Sequence, residues 1–189
     1  MSKKGYRVAV ERAPRADARR NRDSIVAAAR DVFDRDEHLR FDDFAARAGV
    51  GVGTLYRHFP TREALAAAVY EGEVAALCDQ AHDPARSAGD NLDVFLRGFV
   101  DYVLSHTGLA RTLAAVADPA VLANGGIELE RTVTELMSRA AAKGAIRDDV
   151  AVGAVMVVLH GIASAHNRPL WVPEARAAVE LLLSGLRAA

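Results

Sequence analysis

The sequence predicts an all-α fold of about nine helices, with a small N-terminal three-helix unit followed by a larger helical domain. Three observations lead there. Ala, Leu, Arg and Val dominate a composition that is 51% hydrophobic and 26% charged, and these residues suit helices more than strands. Apolar positions recur at three- and four-residue intervals along nearly every long segment. The breaks between segments are rich in Gly, Pro and Asp, while aromatic and β-branched clusters bounded by turns are scarce. With 189 residues the chain can bury a substantial core, as one domain or two.

Residues 1–22 carry eight Lys and Arg against Glu11 and Asp17, so residues 1–18 read as a basic disordered arm. From Arg19 to Phe33 the positions Ile25, Val26, Ala29, Val32 and Phe33 form one apolar stripe, the first helix. After a polar break from Asp34 to Arg40, Phe41, Phe44, Ala45 and Ala48 mark a short second helix stopped at Gly49. A third short segment, Val50 to Phe59, ends at Pro60, and Thr61 caps a long fourth helix from Arg62 to about Asp79. Two short helices across a glycine turn make a helix-turn-helix, which gives three units: arm 1–18, helix-turn-helix 19–65 and C-terminal domain 66–189.

Downstream, Pro84 to Asp90 is a loop, and Asp90 is expected to cap a helix striped by Leu92, Phe95, Leu96, Phe99, Val100 and Val103 that ends at Gly108. A short helix follows from Leu109 to Ala117, closed by Asp118-Pro119. Asn124-Gly125-Gly126 opens a longer one with Ile127, Leu129, Val133, Leu136 and Met137 inward, ended by Lys143 and Gly144. Asp148 or Asp149 is expected to cap the eighth helix, Val150 to about His166. The ninth runs from Pro173 to about Arg187 with proline in its first turn.

Net charge is only −1, yet its distribution is uneven. Residues 1–65 hold fourteen Lys and Arg against ten Asp and Glu, and residues 66–189 hold ten against fifteen. A basic front suits a polyanionic partner and an acidic remainder does not. The single cysteine, Cys78, excludes an intramolecular disulfide and a CxxC metal or redox site. No apolar stretch follows the basic N-terminus, so a secretory signal or membrane anchor is not indicated, and the expected location is the cytoplasm.

The run Phe44-Ala45-Ala46-Arg47-Ala48-Gly49-Val50-Gly51-Val52-Gly53-Thr54-Leu55-Tyr56-Arg57-His58-Phe59, with Arg62 and Leu65 after it, resembles the helix-turn-helix signature of the TetR family of transcriptional regulators. The resemblance covers about residues 20–70. Three positions depart from it: Phe44 stands for an isoleucine, Gly51 for a serine and Arg62 for a lysine. The hydroxyl residue usual at the start of the second helix is also missing, with Arg40-Phe41 near that place, so the phosphate contact there is expected to be rearranged. The resemblance implies a DNA-binding regulator and assigns Tyr56, His58 and Arg62 to the phosphate backbone.

Helical spacing supports that reading independently, because Leu55 and Phe59 point inward while Val52, Thr54, Arg57 and His58 can face a major groove. Val52 and Thr54 suit thymine methyls, and Arg57 suits a guanine edge or a phosphate. The expected DNA-binding set is Arg40, Val52, Gly53, Thr54, Tyr56, Arg57, His58, Thr61 and Arg62. A nucleotide-binding glycine loop is the weaker reading of Gly49 to Gly53, since neither the Rossmann nor the P-loop spacing is present and the run follows a helix. Taken alone, Tyr56 and Phe59 would be ordinary core residues.

Val150 to Ala165 carries no formal charge and is too short to span a bilayer, so it must be buried on two sides. A second subunit is the economical partner, and in the resembling family the last two helices pack as a four-helix dimer interface. The expected dimerisation stripe is Val155, Leu159, Val179, Leu182, Leu183 and Leu186. Phe95, Phe99, Tyr102, Met137, Met156 and His160 are expected to line a ligand cavity between helices 5, 7 and 8, with ordinary core packing as the alternative. No triad or ligand spacing indicates catalysis, metal or cofactor. The expected partners are palindromic double-stranded DNA, a second copy and an unknown small-molecule effector that releases a repressor. Two alternatives are a helical-bundle enzyme using His160 or His166 and a DNA-binding module without an effector.

Overall fold

The computed structural model describes residues 9–35, 39–114 and 123–187. Among them are nine α-helices: α1 (Ala9–Asp34), α2 (Asp43–Arg47), α3 (Val52–His58), α4 (Arg62–Asp79), α5 (Ala88–Ser105), α6 (Thr107–Ala114), α7 (Ala123–Ala142), α8 (Val152–Ser164) and α9 (Trp171–Leu186). Helix α1 begins ten residues before Arg19, so the expected disordered arm is helical from Ala9 onward. Four Ala and two Arg lie between Ala9 and Ala18, and once the Ile25 to Phe33 stripe is packed such residues extend a helix at little cost, with Pro14 the poorest helix former among them. The rest of the expected arm, residues 1–8, lies outside the described residues, as does the end of the expected sixth helix beyond Ala114.

Two cores form. The first gathers Ile25, Ala29, Val32 and Phe33 of α1, Phe44 and Ala45 of α2, Leu55 and Phe59 of α3, Leu65, Ala66 and Val69 of α4, and Leu109 of α6. The second joins Val74 and Cys78 of α4 to the apolar faces of α5, α7, α8 and α9. Helix α4 therefore belongs to both. At about 1.5 Å per residue its 18 residues span roughly 27 Å. Its start is fixed by Thr61, whose Oγ1 accepts from the Ala64 amide at 3.1 Å.

Gly49, with φ +69°, turns the chain between α2 and α3, and Gly144, with φ +68°, ends α7. Both conformations are ones glycine adopts without Cβ strain. Three caps differ from expectation. Ser87, not Asp90, caps α5: its Oγ accepts from the Asp90 amide at 3.1 Å and donates to Asp90 Oδ2 at 2.8 Å. Asp90 is thus the third residue of the helix, in a reciprocal capping arrangement. At α8 the cap is Ala151, with no side-chain bond, because Asp149 pairs with Arg147 instead. Gly108 does not end α5; it lies inside α6.

Helix α6 packs against α1, α4, α5 and α8. Leu109 is 2% exposed within the first core, although it follows α5 in the chain. Leu109→Ala is expected to lower stability by about 2–5 kcal/mol, as for other buried leucines, and to loosen α1 against α6. Urea titration with hydrogen exchange of α1 amides checks this. Unchanged exchange in α1 would show that α6 does not support the helix-turn-helix.

Candidate DNA-binding surface and ligand cavity

Leu55 is fully buried and Phe59 nearly so, which anchors α3 by one side and turns the other outward. Val52, Gly53, Tyr56 and Arg57 are exposed, while Thr54 and His58 are half-buried. Val52 and Tyr56 are unusual in remaining 45% and 47% exposed despite their size. The Tyr56 ring meets Phe41 edge-on with centroids 5.3 Å apart. Its hydroxyl donates to Asp42 Oδ1 at 2.8 Å, a bond that raises the phenol pKa. Asp43 Oδ2 accepts from the Arg40 amide at 3.2 Å, so two carboxylates stand at the start of α2, where the family pattern has a hydroxyl residue.

Arg62 is not presented outward. Its guanidinium lies over the paired rings of Phe33 and Phe44, 5.2 and 5.1 Å from their centroids, and Nη1 donates to the Leu39 carbonyl at 2.7 Å. Burial lowers its pKa, although a guanidinium stays protonated regardless. The planar cation stacks where a lysine would not, and it ties the α1–α2 connection to the start of α4. Phe44, another of the three departures from the family pattern, supplies one of the two rings.

In the C-terminal domain a cavity of about 170 Å³ opens between α4, α5, α6, α8 and the first turn of α7. Phe99, Tyr102, Val103, Leu109, Leu113 and His160 form much of its wall, joined by Tyr70, His106, Ala110, Gly126, Ala163 and Ser164. The Tyr102 and His106 rings lie 4.4 Å apart. Burial pushes the Tyr70 phenol up to about 12, keeping it neutral. Its ring presses on α7 so closely that a Cβ at Gly125 would come within 2.5 Å of it.

The outer faces of α8 and α9 are apolar. Val157 is 71% exposed and Leu181 is 75% exposed, beside the exposed Gly153, Ala154 and Gly161.

Comparison with known proteins agrees with this geometry. The family description "Bacterial regulatory proteins, tetR family" matches residues 25–69, and "Transcriptional regulator SbtR-like, C-terminal domain" matches residues 87–188. A TetR transcriptional regulator of Streptomyces coelicolor is 39% identical, with 89% of this chain and 99% of that one covered and a TM-score of 0.63. A TetR regulatory protein of Mycobacterium vanbaalenii is 32% identical, covering 92% and 99%, also at 0.63. The chain belongs to the TetR family. Two HTH-type transcriptional regulators of Staphylococcus aureus are 30% and 28% identical over 102 and 106 residues, 48% and 53% of this chain. The chain spans about half the length of these curated relatives, 52% and 57%.

Within this TetR fold the expected sites are partly redistributed. Of the expected cavity residues, Phe99, Tyr102 and His160 line the cavity, whereas Phe95, Met137 and Met156 pack into the second core. Of the expected dimerisation stripe, Val155, Leu159, Val179, Leu183 and Leu186 are buried inside their own chain and Leu182 is half-buried. Val157 and Leu181 occupy the outer face instead. Tyr70, His106, Leu109 and Leu113 of the cavity were not among the expected set. The Gly125-Gly126 pair could have pointed to Tyr70, since adjacent glycines at a helix start permit close approach of a ring. Among the described residues no group of three His, Cys, Asp or Glu can hold a metal ion, and no helix is long and apolar enough to cross a membrane.

Two outcomes are expected at the helix-turn-helix. Arg62→Lys should lower the melting temperature without DNA present, because the stacked contacts and the bond to Leu39 are worth about 1–3 kcal/mol together. A variant with wild-type stability and reduced DNA affinity would mark Arg62 as a phosphate contact. Asp42→Asn should raise affinity about fivefold in fluorescence anisotropy, since removing one like charge about 4 Å from a phosphate in water relieves about 1 kcal/mol. A fall would mean that the carboxylate holds Tyr56 in its DNA-bound pose.

Proposed function

We propose that the chain acts as a homodimeric DNA-binding repressor that leaves a palindromic operator when a small molecule enters the C-terminal cavity. The observation that carries this reading is Leu109, which is buried in the core of the helix-turn-helix and also walls the cavity. A molecule in the cavity therefore presses on a residue that supports α1 and α4. For that pressure to matter, the molecule must favour the arrangement of recognition helices that fits DNA less well.

On the DNA side, Val52, Gly53, Thr54 and Arg57 are assigned to base edges and Tyr56 and His58 to phosphates. Arg40 and Thr61 flank them. Thr61 already spends its oxygen lone pair on the α4 cap, which leaves its hydroxyl proton for a phosphate. Arg62 is reassigned from phosphate contact to positioning.

Dimerisation is assigned to the outer face of α8 and α9. Large apolar side chains left at 71% and 75% exposure, next to glycines that allow helices to approach, are what a partner helix pair would cover. Two recognition helices held about 34–36 Å apart then read successive major-groove faces.

Leu181→Glu is expected to yield folded monomers, with helicity intact and operator binding reduced to non-specific levels, whereas Leu183→Glu should unfold the domain because it buries an unpaired charge. Sedimentation paired with anisotropy on the identified operator checks both. A dimeric Leu181→Glu variant would remove this face from the interface, and a monomer with undiminished affinity would overturn the dimeric repressor.

A further inference from the structure

We propose that the cavity takes a small, neutral, hydroxylated single-ring molecule, held ring inward with its hydroxyl donating to His160 at the mouth. This rests on the cavity assigned above, and adds the chemical class of its occupant. Three features of the cavity converge on that class.

Size comes first. The space measures about 170 Å³, and an apolar protein cavity of about 150 Å³ accommodates benzene. One ring with one or two small substituents fits; a fused polycycle does not.

Charge comes second. Among the described residues, no Asp, Glu, Lys or Arg lines the cavity. An ionised occupant would lose its hydration without gaining an opposite charge, at a cost of several kcal/mol. Tyr70 adds none, since burial pushes its phenol up to about 12.

Hydrogen-bond polarity comes third. His160 Nδ1 lies 2.8 Å from the Met156 carbonyl. A carbonyl only accepts, so Nδ1 carries the proton, and in the neutral ring Nε2 must be the acceptor. The His160 imidazole, set in that tautomer by its own helix, thus offers an acceptor rather than a donor. The polar members His160 and Ser164 are exposed while Phe99, Val103 and Leu109 are buried, so the cavity is apolar at its floor and polar at its rim, where the His160 acceptor stands beside the Ser164 hydroxyl. A hydroxylated ring matches both ends.

The test uses the full-length protein with p-cresol, toluene, p-toluate and a three-ring phenol, followed by calorimetry and thermal shift in the absence of DNA. The expected result is that p-cresol binds and raises the melting temperature. Toluene should bind about fivefold more weakly, the worth of one hydrogen bond, and p-toluate and the three-ring phenol should not bind. In His160→Phe, an exposed position, p-cresol should fall to the affinity of toluene while toluene is unchanged. Failure of both p-cresol and toluene to bind overturns the proposal. So does tighter binding of p-toluate, which would show the histidines acting as cations, or binding of the three-ring phenol alone, which would refute the size limit. Equal loss of p-cresol and toluene in His160→Phe would refute the hydrogen bond. Operator release is read separately: p-cresol binding without release sinks the effector reading and leaves the ligand class standing, and intact operator binding with no ring compound bound does the reverse.

Discussion

Burial of Leu109 in the core of the helix-turn-helix is the contact on which the arrangement of the two domains depends. The chain completes α1 to α4, builds α5, and then returns in α6 to bury Leu109 in the core that holds Ile25, Phe33, Leu55 and Leu65, with Leu113 and Tyr102 of α5 packed against it. Without that return the N-terminal unit would be attached to the rest mainly through α4. With it, the unit is held at two places, and the second place is a cavity wall. Packed interiors deform little, so a change in the volume beside Leu109 is taken up by rigid shifts of α6 against α1 and α4 rather than by local compression. Such shifts are the ordinary means by which packed helices switch between discrete arrangements.

The surface presented by α3 is assembled by the same economy. Leu55 and Phe59 fix its inner side, and Tyr56 is steadied from outside by the Phe41 ring and the Asp42 carboxylate. Arg62, stacked over Phe33 and Phe44, locks the α1–α2 connection from which Phe41 and Asp42 project. A cation that elsewhere would meet phosphate is here consumed in making the surface rigid. The basic balance of the first 65 residues therefore overstates the charge available to DNA, and the carboxylates of Asp42 and Asp43 reduce it further.

Much of this was legible from sequence because the signals were local. The glycine at position 49, the proline at 60 and the Thr61 cap fix the helix-turn-helix within a residue or two, and the apolar stripes of α5 and α7 fix their inward faces. Legibility failed where two local answers were equally good. Ser87 and Asp90 can each cap a helix, and only the packed structure shows that they cap it together. In α8 nearly every side chain is apolar, so periodicity cannot say which stripe faces the chain's own core; the residues expected at a partner, Val155 and Leu159, are the buried ones. The cavity was legible only in part because it is bounded by residues of five helices. Tyr70 and Leu109 enter it through helix directions that no sequence spacing encodes.

Helix α8 consequently carries three functions on one short cylinder. Val155, Met156, Leu159 and Ile162 hold it to the core, Val157 and its small neighbours form the outer apolar face, and His160 with Ser164 forms the rim of the cavity. Residues 157, 160, 161 and 164 follow at helical spacing, so the rim and the outer face adjoin along the same side. In the proposed dimer an occupant that bonds to His160 therefore acts within one turn of the partner's helix, while its ring acts on Leu109 at the other end of the cavity. In that dimer the cavity would touch both of the contacts that set the distance between recognition helices, the one within a subunit and the one between subunits. In the proposed dimer a single cavity lined by both Leu109 and His160 would thus couple occupancy to the separation of the two DNA-reading helices.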